Sequence, residues 1–150
     1  MLASHDTQEL WRLLLIGQRR LWEYFAARIK DEHGLSGAQF EALIVLQNVA
    51  PRGLTMSRLS RHLLYSSGSA SHLVDRLVQL GYVQRSRTEA DGRAVEVSLT
   101  QAGAELISSA RAMHFADLER VFGPLVSEDE LPGLVAFAKR MAAARPGDAE

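Results

Sequence analysis

The sequence contains no cysteine, and this absence removes several kinds of chemistry at once. Disulfides, thiolate metal sites, a catalytic cysteine and thiol-based redox sensing are all excluded. Long apolar runs are missing too, because no window holds the roughly 18 uncharged apolar residues that a membrane span requires. The first ten residues, MLASHDTQEL, carry acids where a signal peptide would carry basic residues. We therefore expect a cytoplasmic protein without membrane association.

The net charge is small, but the charged residues are unevenly distributed along the 150 residues, for which we expect one domain, residues 1–150. The net charge of −1 would by itself argue against binding to nucleic acid. However, residues 52–93 carry seven arginines against three acids, whereas the remainder carries ten lysines and arginines against fifteen acids. A basic middle between acidic flanks is the distribution expected for a phosphate-bearing partner.

Apolar periodicity predicts that most of the chain is helical. The first predicted helix, residues 6–33, is apolar around most of its circumference, with Trp11 and Trp22 adding to its leucines. Such a helix must be buried on several sides, and a chain of this size offers little cover. We therefore expect a second chain to cover it. Good N-cap residues favour the starts of three shorter helices. These N-caps are Ser36, Thr55 and either Ser66 or Ser67.

A period of two replaces the helical period after Gly81, which is expected to end the third short helix. Alternation on both sides of the Asp-Gly turn signal at 91–92 predicts a β-hairpin. Thr100 is the expected N-cap of a long helix, and Ser127 and Glu130 have the spacing of a capping box before a last one. Short helices and a hairpin framed by long helices indicate a mainly α fold, a winged helix-turn-helix with long terminal dimerisation helices.

The stretch SSGSASHLVDRL, residues 66–77, joins an unusual start to an ordinary amphipathic helix. Apolar residues at helical spacing predict an inward face made of Leu73, Val74, Leu77 and Leu80. The start is small and hydroxylated, although serine and glycine are poor helix formers and bury little. Packing alone therefore does not account for this end of the helix.

A helix that enters the major groove of DNA requires a start of this kind. The groove is about 12 Å wide, and the N-terminal residues of the recognition helix meet base edges there. Free N–H groups and hydroxyls also suit phosphate oxygens. A solvated helix end would be the simpler interpretation without the hairpin and the preceding helix, but all three together favour double-stranded DNA as a partner. The predicted DNA contacts include Thr55, Ser67, Gly68, Ser69, Ser71, His72, Arg76 and Arg87.

Catalytic and metal sites are not indicated. Ser71, His72 and Asp75 resemble a nucleophile triad in type, but Ser71 and His72 are adjacent on a helix and project about 100° apart. Metal-ligating residue types elsewhere form no ligand signature. We therefore expect no enzyme, no catalytic residue, no metal and no cofactor. The scattered metal candidates are His33, Glu41, His114 and Asp117.

The run LVDRLVQLGYVQRSRTEADGRAVEVSLTQAG resembles the signature of the MarR family of winged-helix transcriptional regulators. The family's D-x-R wing motif is matched by Asp91-Gly92-Arg93, and its T-x-x-G motif by Thr100 and Gly103. The start SSGSAS is similar to the beginning of the recognition helix in one branch of the family. Many members carry a second basic residue where this chain has Gly92, so the wing tip is less charged here.

The resemblance implies a DNA-binding lobe over residues 36–100 and a helical dimerisation region made of residues 6–33 and 101–145. It also implies that Arg93 reaches into the minor groove from the wing, with Asp91 holding it by a charge-assisted pair. The family's members form homodimers on inverted-repeat operators. The candidate interface residues are Leu10, Trp11, Leu14 and Leu15.

A small effector is a further implication of the resemblance, since family members often bind a small, commonly aromatic anion beside the dimer helices. The interpretation favoured by the sequence is thus a homodimeric, ligand-responsive repressor. Two alternatives remain: a winged helix that mediates protein contacts without binding DNA, and a small helical enzyme. The effector candidates are Trp11, Arg12, Trp22, Tyr24, Arg28 and His33.

Overall fold

The computed structural model describes residues 4–87 and 94–144, and it confirms the prediction of a mainly helical chain with a small β element. The chain divides into two compact units, residues 1–114 and residues 115–150. The elements in order are α1 (Ser4–His33), α2 (Gly37–Val49), β1 (Leu54–Thr55), α3 (Met56–Leu63), α4 (Ser67–Gln79), β2 (Val83–Arg87), β3 (Val95–Leu99), α5 (Gln101–Val121), a 3₁₀ turn (Gly123–Leu125) and α6 (Leu131–Ala143).

The hairpin belongs to a three-stranded antiparallel sheet with the order β1-β3-β2. Strand β1 was not predicted, because two residues are too short to show a period of two. It pairs with β3 through Leu54 opposite Val97 and Thr55 opposite Glu96. Thr55 also occupies the N-cap position of α3, but its side chain makes no capping hydrogen bond. The predicted N-cap position of Thr55 is therefore confirmed, without a side-chain hydrogen bond.

One apolar core holds the first unit together. Each helix contributes a fully buried side chain, among them Ile29 from α1, Leu43 from α2, Leu59 from α3 and Leu77 from α4. Val97 of β3 is equally buried and joins the sheet to the same cluster. Burial of a leucine or isoleucine side chain contributes roughly 1.5–3 kcal/mol, so this shared core fixes the helix-turn-helix against the helices around it.

The base of the hairpin is held by the two residues of the T-x-x-G motif. The Thr100 hydroxyl donates to the Gly81 carbonyl at 2.7 Å and accepts from the Gly103 N–H at 3.0 Å. Thr100 thus caps α5, as predicted. A Cβ on Gly103 would lie 1.9 Å from the Tyr82 carbonyl oxygen. Only glycine therefore lets α5 begin directly against the chain segment that enters the wing.

The remaining helix starts follow their capping residues with one shift. Ser36 and Gln39 form a reciprocal capping box at α2, and Ser66 is the N-cap of α4. Ser127 and Glu130 also bond to each other, and the Ser127 hydroxyl at 2.6 Å helps to lower the pKa of Glu130. Helix α6 nevertheless begins later, at Leu131, because proline at position 132 suits a first turn and not a helix interior.

The second unit contains the end of α5, the 3₁₀ turn and α6. None of the described residues of α6 is buried. Several large apolar side chains of this unit are well exposed within the single chain. They are Phe115, Phe122, Leu125, Leu131, Leu134, Val135 and Met141.

Candidate nucleic-acid interface

Helix α4 has one buried side and one exposed side. Ala70, Val74 and Leu77 are fully buried, which confirms Val74 and Leu77 of the predicted inward face. Leu73 is half-buried, and Leu80 is 39% exposed, so its assignment to that face was wrong. Leu80 is the C-cap residue, beyond the last residue of the helix. The predicted contacts on α4 lie on the other side. Ser67, Gly68, Ser69, His72 and Arg76 are exposed, and Ser71 is half-buried.

The first turn of α4 is organised by its serines. The Ser66 hydroxyl accepts from the Ser69 N–H at 3.2 Å and donates to the Ser69 hydroxyl at 2.9 Å. The N–H groups of a first turn have no partner within the helix, so this end carries partial positive charge. A Cβ on Gly68 would meet no atom within 4 Å. The packing of the described residues therefore does not require a glycine here.

The wing strands lie beside this helix and are linked to it by an ion pair. Val83 of β2 faces Leu99 of β3, and Arg87 faces Val95 at the other end of the hairpin. Arg85 Nη1 lies 2.7 Å from the Asp75 carboxylate of α4. Arg87 is exposed at the end of β2. The D-x-R motif, with Asp91, Gly92 and Arg93, falls outside the described residues.

Helix α3 adds a basic surface that the sequence-based site did not include. Arg58, Arg61 and His62 line a hollow of about 380 Å³ on its exposed side. Their i, i+3, i+4 spacing on a short amphipathic helix was the available signal, since it places all three on one side. The hollow brings positive charge next to the helix-turn-helix, where a phosphate or a carboxylate would be stabilised.

An apolar crevice of about 340 Å³ adjoins this hollow, and His62 lines both. Glu41 is its acidic wall residue. The Tyr65 side chain, in the turn between α3 and α4, is hydrogen-bonded to Glu41; burial first, and then this carboxylate, raise the pKa of Tyr65 above its ordinary value. The crevice is therefore next to the turn that leads into α4. Its other lining residues are Trp22, Phe40, Ile44, Val45, Leu63 and Leu64.

The predicted effector residues do not converge on one site within the chain. Trp22 lines the crevice. Trp11 precedes it by eleven residues, roughly 16 Å along a helix, and is 57% exposed. Arg12 bonds to Glu9 at 2.7 Å.

Three further candidates lie elsewhere on α1. Arg28 pairs with Glu32 at 3.0 Å, the Tyr24 ring meets the Phe25 ring edge-on, and His33 is half-buried at the end of the helix.

Side chains of the types used in catalysis or metal binding have other partners. Asp75 pairs with Arg85, which leaves the Ser71, His72 and Asp75 set without the link that a triad needs. The His114 ring stacks edge-on against Phe25 and Phe40, at 5.1 and 5.2 Å between centroids. Within residues 4–87 and 94–144, no three potential metal ligands cluster, and no helix is long and apolar enough to cross a bilayer.

A short helix, a tight turn, a small-residue recognition helix and a β-hairpin define a winged helix-turn-helix protein. Residues 33–94 match the model of the MarR family. The HTH-type transcriptional regulator YkoM of Bacillus subtilis is 29% identical over 113 residues, which are 75% of this chain and 71% of YkoM.

Solved structures agree with the sequence comparison. The structure of AbsC, a MarR-family regulator from Streptomyces coelicolor, is similar with a TM-score of 0.83 and 26% identity, covering 95% of each chain. A second MarR-family regulator of that organism, solved in complex with DNA, has a TM-score of 0.85 at 20% identity, covering 100% of this chain and 94% of its own. The family match over residues 33–94, the similarity to YkoM and the likeness to AbsC show a winged helix-turn-helix protein that is similar to MarR-family transcriptional regulators.

Proposed function

We propose that the protein is a cytoplasmic homodimer that represses transcription by binding an inverted-repeat operator and is released by a small effector. The observation that carries the proposal is the exposed, hydroxylated start of α4. Ser67, Gly68 and Ser69 present a small, exposed surface at the N-terminus of the helix, and Gly68 is not needed by the chain's own packing. These features suit close approach to a groove and its phosphates.

Dimer formation is supported by exposed apolar surface at the start of α1. Leu10, Trp11, Leu13 and Leu15 are each between 44% and 57% exposed in the single chain. An apolar patch of this kind on a soluble protein marks an interaction surface. A second copy would cover it and present two recognition helices, as an inverted repeat demands. Leu14, also predicted at the interface, is half-buried.

Operator binding is tested by fluorescence anisotropy on DNA from upstream of the protein's own gene, beside a scrambled duplex and at several salt concentrations. We expect tight binding that prefers the native duplex and weakens steeply with salt, because bound arginines release counterions from phosphates. Weak, equal binding to both duplexes at every salt concentration would contradict the proposal and favour a protein-interaction role.

The effector proposal centres on the crevice beside the helix-turn-helix. Its apolar wall, including Trp22, suits an aromatic ring, while His62 and the adjoining Arg58 and Arg61 suit a carboxylate. Glu41 would oppose an anion, but its carboxylate is engaged by Tyr65. A ligand that disturbs this bond would act on the turn that leads into α4.

Benzoate is a suitable probe for the crevice. The chain has two tryptophans, so a Trp11→Phe variant leaves Trp22 as the only indole reporter. We expect benzoate to change Trp22 emission and to release DNA over the same concentration range. Val45→Phe fills the crevice and should remove both effects. Release that persists in Val45→Phe would contradict the assignment of the effector to this crevice.

A further inference from the structure

Asp75 is an acidic residue on the exposed side of the recognition helix. It lies one turn beyond Ser71 and three residues beyond His72, so its carboxylate points to the side that carries the predicted DNA contacts. A free carboxylate there would be repelled by DNA phosphates. Its Oδ1 atom instead lies 2.7 Å from Nη1 of Arg85, on the first strand of the wing.

The pair joins the two elements that a winged helix presents to DNA. Arg85 occupies the middle of β2, opposite Val97, and Asp75 lies in the second half of α4. The Asp75 side chain is 52% exposed and the Arg85 side chain 34% exposed. Exposed ion pairs contribute little to folding stability. The strand register and the Thr100–Gly103 contacts already fix the hairpin base without it.

We propose that Asp75 and Arg85 are positioning residues for DNA binding: the ion pair sets the wing strand against the recognition helix, and Arg85 serves the Asp75 carboxylate rather than a DNA phosphate. The inference rests on the proposed operator binding. It assigns a role in DNA binding to two charged residues that the predicted contacts leave out, and it gives a reason for an acid on the DNA-facing side of α4.

Asp75→Asn provides a test by the sign of its effect. If Asp75 only adds negative charge near DNA, its removal should tighten binding, and it should also free Arg85 to reach a phosphate. If the pair positions the wing, the same substitution should weaken operator binding about tenfold, the order expected for losing one groove contact. Tighter binding by Asp75→Asn would overturn the proposal.

Arg85→Gln completes a double-mutant cycle. If the two residues act through each other, the double variant should bind the operator no more weakly than either single variant. All three variants should then show the same salt slope. A purely phosphate-binding Arg85 would instead lower the salt slope by about one in Arg85→Gln, while leaving the slope of Asp75→Asn unchanged. Additive losses, or that split of slopes, would also overturn the proposal.

Three controls separate positioning from other causes. Asp75→Glu keeps a carboxylate within reach of Arg85 and should restore most of the affinity. Glu96→Gln removes an acid from the neighbouring strand β3 and reports the general effect of a lost negative charge. Thermal unfolding should show all variants folded. Because wild-type protein is measured in parallel, its failure to bind the operator would refute the proposed function, whereas a wrong response of the variants refutes only the pair.

Discussion

Two glycine positions, 103 and 68, differ in their surroundings. Position 103 requires glycine, because the Tyr82 carbonyl oxygen occupies the place where a Cβ would lie. Gly68 has open space at the same position, so no neighbour in the described structure excludes a side chain there. The first is therefore a requirement of the fold, whereas the packing of the described residues does not require the second. A single sequence does not separate these cases, since both residues lie in segments that match the family pattern.

At Gly103 we predict that alanine destabilises the first unit by about 1–3 kcal/mol, the usual cost of forcing extra volume into a packed site. The backbone of Tyr82 must move to admit the new methyl group. The free energy of unfolding is measured by urea denaturation. Gly17→Ala is the matched control, because its Cβ meets nothing within 4 Å and alanine favours a helix by about 0.5–1 kcal/mol. Equal stability of Gly103→Ala and wild type would contradict the close contact.

Helix α4 combines a buried side that belongs to the core with an exposed side that we propose binds DNA. Ala70, Val74 and Leu77 on its inward side are completely buried, so a binding partner would not contact them. The N-cap of its first turn is Ser66, whose hydroxyl accepts a hydrogen bond from the Ser69 N–H. Substitutions at the exposed positions of that turn can therefore alter binding without removing the cap.

Ser69→Glu should separate these two roles. Position 69 is the third residue of α4, so a glutamate there completes a capping box with Ser66 and maintains or raises helix stability. The same carboxylate would face DNA phosphates and should abolish operator binding. Anisotropy and thermal unfolding measure the two effects.

The equivalent position in another helix provides the control for Ser69→Glu. Gln39→Glu places the same charge in the capping box of α2 and should leave DNA affinity nearly unchanged. If Ser69→Glu binds the operator like wild type, α4 does not enter the groove.

At the scale of the whole molecule, charge and apolar surface are unevenly distributed. The basic middle of the sequence contributes Arg58, Arg61 and Arg87 to exposed positions of the first unit. The start of α1 and the second unit separately expose large apolar side chains. A dimer would cover apolar surface of this kind and place two basic lobes on one duplex.

A double substitution at the start of α1 tests the dimer. Trp11 and Leu15 are one helical turn apart on one side, 57% and 50% exposed. We expect Trp11→Glu with Leu15→Glu to halve the mass measured by sedimentation equilibrium at micromolar concentration. Operator affinity should then fall by two orders of magnitude or more, since linked half-sites gain about 10²–10⁴ from effective concentration.

The control replaces exposed polar residues on the same helix. Gln8→Glu with Gln18→Glu adds the same two charges and should leave the dimer intact. A double Trp11 and Leu15 variant that keeps the dimer mass would place the interface elsewhere on the chain.

Elements with a strong local signal were predictable from the sequence. Helical periodicity, the caps at Ser36, Ser66 and Thr100, and the alternation around the Asp-Gly turn are all local patterns, and the structure bears them out where it describes the chain. Strand β1 and the start of α6 were missed or shifted. Strand β1 depends on pairing with β3, which is distant in the sequence. The start of α6 depends on which of several adjacent residues ends the turn before it.

The sequence by itself determined the order of the helices and the hairpin, the small start of α4 and the resemblance to the MarR family, because these depend on residue type and on spacing along the chain. Only the tertiary structure showed that Asp75 meets Arg85, that Gly103 admits the Tyr82 carbonyl, and that Trp22 and His62 share a crevice. Each of these contacts joins residues on different elements. Packing of the shared core, and not local spacing, decides which side chains come within a few ångströms of one another.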